Sequence, residues 1–122
     1  MEQALFNENG EPVAYISNDQ NRTIYLWDGY PVAYLYDYHV YGFNGQHLGW
    51  FINGVVYDSY GNRVGFTATT APIAVYSEPA KAKRYALDKI ESKSEAPPLP
   101  ELGFTHSDED FAEFLKKGVN PP

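Results

Sequence analysis

The chain has no cysteine, and its front half holds almost no positive charge. The first absence excludes disulfides and thiolate metal sites. The second follows from the positions of the nine Lys and Arg, of which only Arg22 and Arg63 precede residue 67. With a formal net charge of −7 there is no broad basic surface for nucleic acid or anionic lipid, so general nucleic-acid binding is not expected. Nothing approaches the roughly 18 consecutive apolar residues that a membrane-spanning helix needs. The opening "MEQALFNENG" has neither a basic stretch nor an apolar run, and the expected location is cytoplasmic. The three histidines, His39, His47 and His106, lack the i, i+4 spacing of a helical metal site, so no metal and no cofactor are expected.

Aromatic residues are abundant by contrast, and 15 of the 20 lie within residues 1–66. That segment says one thing four times: "LFNENGEPVAYI" from Leu5, "IYLWDGYPVAYL" from Ile24, "VYGFNGQHLGWF" from Val40 and "VYDSYGNRVGFT" from Val56. The shared frame is aliphatic, aromatic, three variable residues, Gly, two variable residues, Val or Leu, Ala or Gly, aromatic. Asn9-Gly10, Asp28-Gly29 and Asn44-Gly45 are signals for two-residue type I′ turns, because both central residues of such a turn need positive φ. Tyr60-Gly61 departs from the signal and predicts a longer fourth loop. Two-residue turns would pair Phe6 with Val13, Tyr25 with Val32, Tyr41 with Leu48 and Tyr57 with Val64 on an aromatic face. The other face would bring Leu5, Ile24, Val40 and Val56 to a crowded axis beside Ala14, Ala33, Gly49 and Gly65.

A hairpin that is apolar on both faces is marginal alone, so four of them predict a ring in which neighbours cover one another. The fold class is mainly β, an up-and-down meander of four hairpin repeats about a pseudo-four-fold axis, followed by a C-terminal strap and a short helix. The four Gly-centred units, their aromatic pairs and a Pro-rich tail ending in "DFAEFL" resemble the four-fold β-flower family, small bacterial proteins. That resemblance implies the fold and assigns no catalytic residues.

The expected divisions are a flower domain over 1–76, a helix and Pro-rich strap over 77–106 and an amphipathic helix over 107–118. "APIAVYSE" predicts one more strand at 73–76, added to the flower's edge, and the absence of breakers from Pro79 to Lys93 predicts a helix there. "APPLPELGF" reads as a stiff extended strap. Ser107 is the expected N-cap of the last helix, whose Phe111, Phe114 and Leu115 form a hydrophobic facet. This facet predicts docking on the chain's own flower, with a partner protein or a second copy as the alternative.

For function, no nucleophile with a nearby base stands out. Trp27, Tyr30 and Phe43 lie beside the turn tips where the first and fourth units are polar, and His47 and Arg63 occupy the slot just past the third and fourth tips. These five are the candidate ligand-binding residues. They suit a non-enzymatic module for an unknown small molecule or peptide, unless the strap covers the same rings. The alternative is an assembly scaffold, homo-oligomeric or hetero-oligomeric, that acts through the strap and helix.

Overall fold

The computed structural model describes residues 2–121. Eight strands follow one another: β1 (Gln3–Phe6), β2 (Pro12–Ile16), β3 (Thr23–Leu26), β4 (Pro31–Tyr36), β5 (His39–Gly42), β6 (His47–Ile52), β7 (Val55–Tyr57) and β8 (Arg63–Phe66). Each is antiparallel to the next, and β8 returns to β1 through Phe6 and Phe66, which closes the barrel. The four repeats are therefore four hairpins, β1–β2, β3–β4, β5–β6 and β7–β8, numbered one to four below.

Their tips differ from the two-residue turns expected. In every hairpin one residue, Asn7, Leu26, Gly42 or Asp58, donates its N–H to the carbonyl four residues on and accepts from the Gly N–H three residues on. This is a type I turn with Gly in the left-handed region, a geometry that inserts a one-residue bulge. Gly10, Gly29, Gly45 and Gly61 have φ between 78° and 97°, and the residue before each is not left-handed. The fourth tip, expected to be longer, is like the others. Phe6, Tyr25, Tyr41 and Tyr57 consequently pair with Pro12, Pro31, His47 and Arg63. Because one residue of register moves a side chain to the other face, Val13, Val32, Leu48 and Val64 turn inward to join Leu5, Ile24, Val40 and Val56. The dipeptide with positive φ at both centres occurs elsewhere, at Asn53-Gly54 between β6 and β7.

The inner face is completed by helix α1 (Phe111–Lys116), which enters at the tip end. Phe111, Phe114 and Leu115 are 2%, 0% and 0% exposed inside the barrel. These three were candidates for partner binding, but their facet is spent on the chain's own core. Gly65 makes the space, since a Cβ there would collide with the Phe111 ring; one on Gly49 would first run into the Tyr57 carbonyl of β7 and lie 3.2 Å from the Phe114 ring. The helix is shorter than expected. Its N-cap is Asp110, which accepts from the Glu113 N–H at 3.1 Å, while the Ser107 hydroxyl instead donates to Asp58 at 2.6 Å.

Between barrel and helix, neither the strand at 73–76 nor the helix at 79–93 forms. A closed barrel has no edge to extend, and the thin stripe of Tyr85, Ala86 and Ile90 cannot stabilise an isolated helix. The segment is an extended belt that visits the four tips in order. The N–H groups of Tyr76, Tyr85, Ser94 and Gly103 donate to the carbonyls of Gly10, Gly29, Gly45 and Gly61 at 2.8–3.2 Å. Just before them, the carbonyls of Ala74, Lys83, Ser92 and Glu101 lie over the same four glycines. Successive positions in both series are nine residues apart, one step per hairpin.

Two outcomes are expected in urea unfolding. Gly29→Ala and Gly45→Ala should each destabilise by about 2–4 kcal/mol, since they combine left-handed strain with a Cβ driven into the belt backbone. Phe111→Ala should cost about 3–5 kcal/mol through the cavity left at the barrel mouth.

Candidate functional site

The five candidate ligand residues are distributed over three hairpins, and the belt covers most of them. Trp27 donates its indole N–H to the Pro79 carbonyl at 3.0 Å and lies under the Lys81 ammonium. Tyr30 stacks on Tyr85 of the belt at 4.1 Å, and Phe43 is buried among Tyr34 and Tyr41. Arg63 donates from Nε to the Gly103 carbonyl at 3.1 Å, with its guanidinium against the Phe104 ring. Asp58, which would face Arg63 under the expected register, instead caps the fourth turn by accepting from the N–H groups of Tyr60 and Asn62. Trp27, Tyr30, Phe43 and Arg63 thus do not form one surface. His47 has different neighbours.

The pairing register supplies the comparison that isolates it. On the outer face of each hairpin four residues form a block of two facing pairs. These blocks are Ala4, Tyr15, Phe6 and Pro12 in hairpin one; Thr23, Tyr34, Tyr25 and Pro31 in hairpin two; His39, Trp50, Tyr41 and His47 in hairpin three; and Val55, Phe66, Tyr57 and Arg63 in hairpin four. The aromatic slots are kept in all four, because they pack the seams between hairpins. Two slots are free to vary, and in hairpin three both hold histidine.

The two imidazoles meet. His39 Nδ1 lies 2.9 Å from His47 Nε2, so one ring donates to the other. The His47 ring packs edge-on against Tyr41 at 5.0 Å and Trp50 at 4.8 Å, and the His39 ring stacks on Tyr38 at 4.5 Å. Tyr36, which ends β4, and Tyr38, in the turn that leads into hairpin three, are about half exposed. His47 Nδ1, the Trp50 indole nitrogen and the Tyr34 hydroxyl are buried without a protein partner, although Trp50 is 1% and Tyr34 4% exposed. The neighbouring Tyr41 hydroxyl donates to the Ser94 carbonyl of the belt at 2.9 Å.

Burial, reinforced by the adjacent His39, lowers the His47 pKa from 6.5 to about 4. His47 is therefore neutral near pH 7, and its ring offers one N–H donor and one lone-pair nitrogen rather than a positive charge. Burial likewise raises the pKa of the Tyr34 and Tyr41 hydroxyls, which stay protonated as donors. Among the described residues no group of three or more His, Cys, Asp or Glu could hold a metal ion.

Sequence reasoning singled out His47, weighed His39 only as a connector residue and minor hydrolase candidate, and passed over Trp50. The signal was available, since extending each repeat one residue toward its N-terminus aligns His39 with Ala4, Thr23 and Val55. Seeing the pair together also required the bulged register, which opposes Tyr41 to His47 and His39 to Trp50.

A closed ring of four equivalent hairpins, plugged by its own terminal helix, defines the class of protein. Among known families, the one described as 4-fold beta flower protein matches residues 3–115, and the chain belongs to it. No curated protein and no solved structure compared with the chain gave a match. Among the described residues no helix is long and apolar enough to cross a membrane.

The histidine pair has a pH signature. The unfolded chain takes up a proton near pH 6.5 at His47 and the folded chain only near 4, so the contribution of this group to stability is full above 6.5 and is lost as pH falls from 6.5 to 4. Its loss should be on the order of 2 kcal/mol across that window. His47→Gln should flatten that part of the stability profile, measured by urea unfolding at a series of pH values; an unchanged slope would assign the acid sensitivity elsewhere.

Proposed function

We propose that the protein is a non-catalytic binding module whose site is the outer face of hairpin three. The observation that carries this reading is the break in four-fold symmetry. Three hairpins fill the two variable slots with Ala and Pro, Thr and Pro, or Val and Arg, while the third fills them with a hydrogen-bonded histidine pair beside a buried indole N–H that has no partner. Leaving buried polar groups unpaired costs about 1–3 kcal/mol each, and packing needs would be met by the residues of the sister hairpins. The ligand that fits is small and flat, able to stack beside Tyr36 and Tyr38 and to exchange hydrogen bonds with the imidazoles.

The molecule carries its own control. His39→Thr with His47→Pro reproduces the residues of hairpin two at the same slots, so the variant should fold. In a thermal-shift screen of planar heterocyclic metabolites, at least one compound should raise the melting temperature of the natural chain and leave that of the variant unchanged. Hits that stabilise both equally, or a screen without hits, would remove the basis for this site.

The scaffold reading keeps one supporting observation. The helix facet is used internally, but Phe104 on the belt is 83% exposed while the Arg63 guanidinium covers one face of its ring at 4.6 Å. An aromatic ring held in place yet left in solvent suits a contact with a partner or a second copy. Phe104→Ser should then lower the mass seen by sedimentation, or abolish a partner pull-down. An unaltered monomer that keeps its partners would rule this reading out.

A further inference from the structure

The two halves of the belt are held differently. In the second half, Leu102 packs against Val55, Tyr57 and Phe66, and the segment runs into the buried helix. In the first half every residue from 76 to 95 is exposed. Beyond Tyr76 side chains help to hold it: Trp27 and Tyr41 donate to the carbonyls of Pro79 and Ser94, Tyr30 stacks on Tyr85, and Glu2 pairs with Lys81 and Arg84. Two further kinds of contact repeat on hairpins two and three. Its main chain donates from Ala82 and Tyr85 to the carbonyls of Trp27 and Gly29, and from Glu91 and Ser94 to those of Phe43 and Gly45. Its cations lie on the aromatic seams: Arg84 is 4.6 Å from the centre of the Tyr25 ring, and Lys93 is 4.8 Å from that of Tyr36.

This is how a groove binds an extended peptide, with main-chain bonds for attachment and side-chain seats for register. Arg84 and Lys93 are nine residues apart, one hairpin step. A segment with little buried apolar surface and exposed backbone bonds opens more readily than the core beneath it. What it would uncover is aromatic, with Glu2 beside the Arg84 seat, on a barrel that is acidic as a whole. Residues 1–70 carry seven Asp and Glu against two Arg, whereas residues 71–107 carry five acids and five cations.

From these observations we infer that residues 79–95 are a resident pseudo-ligand, and that hairpins two and three form a docking surface for an extended basic peptide of a partner protein. Such a peptide offers backbone N–H groups to the four carbonyls and places two cations, nine residues apart, on the Tyr25 and Tyr36 seats. Tethering gives the resident segment the advantage of high effective concentration, so a partner competes only when its own seats are better filled. This surface lies across the seams between hairpins one, two and three; it shares Tyr36 with the face of hairpin three proposed above but does not use the imidazoles.

The test uses the full chain and a fluorescein-labelled synthetic peptide with the sequence of residues 79–95. The full-length Arg84→Ala/Lys93→Ala variant, whose resident segment has lost its seats, should bind this peptide at least about tenfold tighter than the natural chain does. The peptide carrying the same two alanines should lose that binding. Absence of binding to the variant chain, or equal binding of a scrambled peptide of the same charge, would overturn the inference. Hydrogen exchange on the natural chain gives a second readout: the amides of Ala82, Tyr85, Glu91 and Ser94 should exchange faster than those of Gly103 and Ser107, and equal protection would also overturn it.

Discussion

Each hairpin of this protein is apolar on both sides, and no hairpin can hide both by itself. The rest of the structure follows from that constraint. Curling four hairpins into a closed ring removes every sheet edge and turns one set of side chains inward. The barrel interior, however, is lined by small residues at Ala14, Ala33, Gly49 and Gly65, and without further side chains it would be underfilled. Helix α1 supplies them, with two phenyl rings and a leucine in place of larger strand residues. The outer face is covered in part by the belt, whose cations and backbone rest on the seams of paired aromatic rings. One tail thus serves both faces of the ring.

The belt succeeds without secondary structure because its partner has four-fold order. Each tip presents a glycine carbonyl and a flat backbone surface that no Cβ obstructs, and the belt meets these at equal intervals. Its contacts at the tips are mainly from main chain to main chain, which frees the side chains to vary. The slots that donate to the tips are Tyr76, Tyr85, Ser94 and Gly103, with nothing in common except a backbone N–H.

That point explains what could be read from the residues and what could not. The number of hairpins, their order and the ring were legible because glycine, aromatic and aliphatic residues recur at fixed offsets, and those residue types are dictated by turn and packing geometry. The inward facet of Phe111, Phe114 and Leu115 was legible for the same reason. The turn type was not, since an Asn-Gly dipeptide serves a two-residue turn and a bulged type I turn alike; only the paired strands decide between them. That one residue of register moved Val13, Val32, Leu48 and Val64 from the outer face to the core. The nine-residue step of the belt was invisible because it is written in backbone positions. The candidate site was half visible: His47 was noticed as a departure from its repeat, but its partner His39 lay one residue outside the frame in which the repeats were aligned.

The even step of the belt also makes the two ends of the barrel unequal toward changes in chain length. At the end away from the tips, the first connector is already longer than the others, since the first and second repeats start 19 residues apart and later ones 16. An insertion there adds only to a surface loop. One residue gained or lost in the belt, by contrast, would displace every later seat and rotate the plug helix out of the pockets at Gly49 and Gly65. Natural variation in length should therefore accumulate at one pole of the ring and be purged from the other.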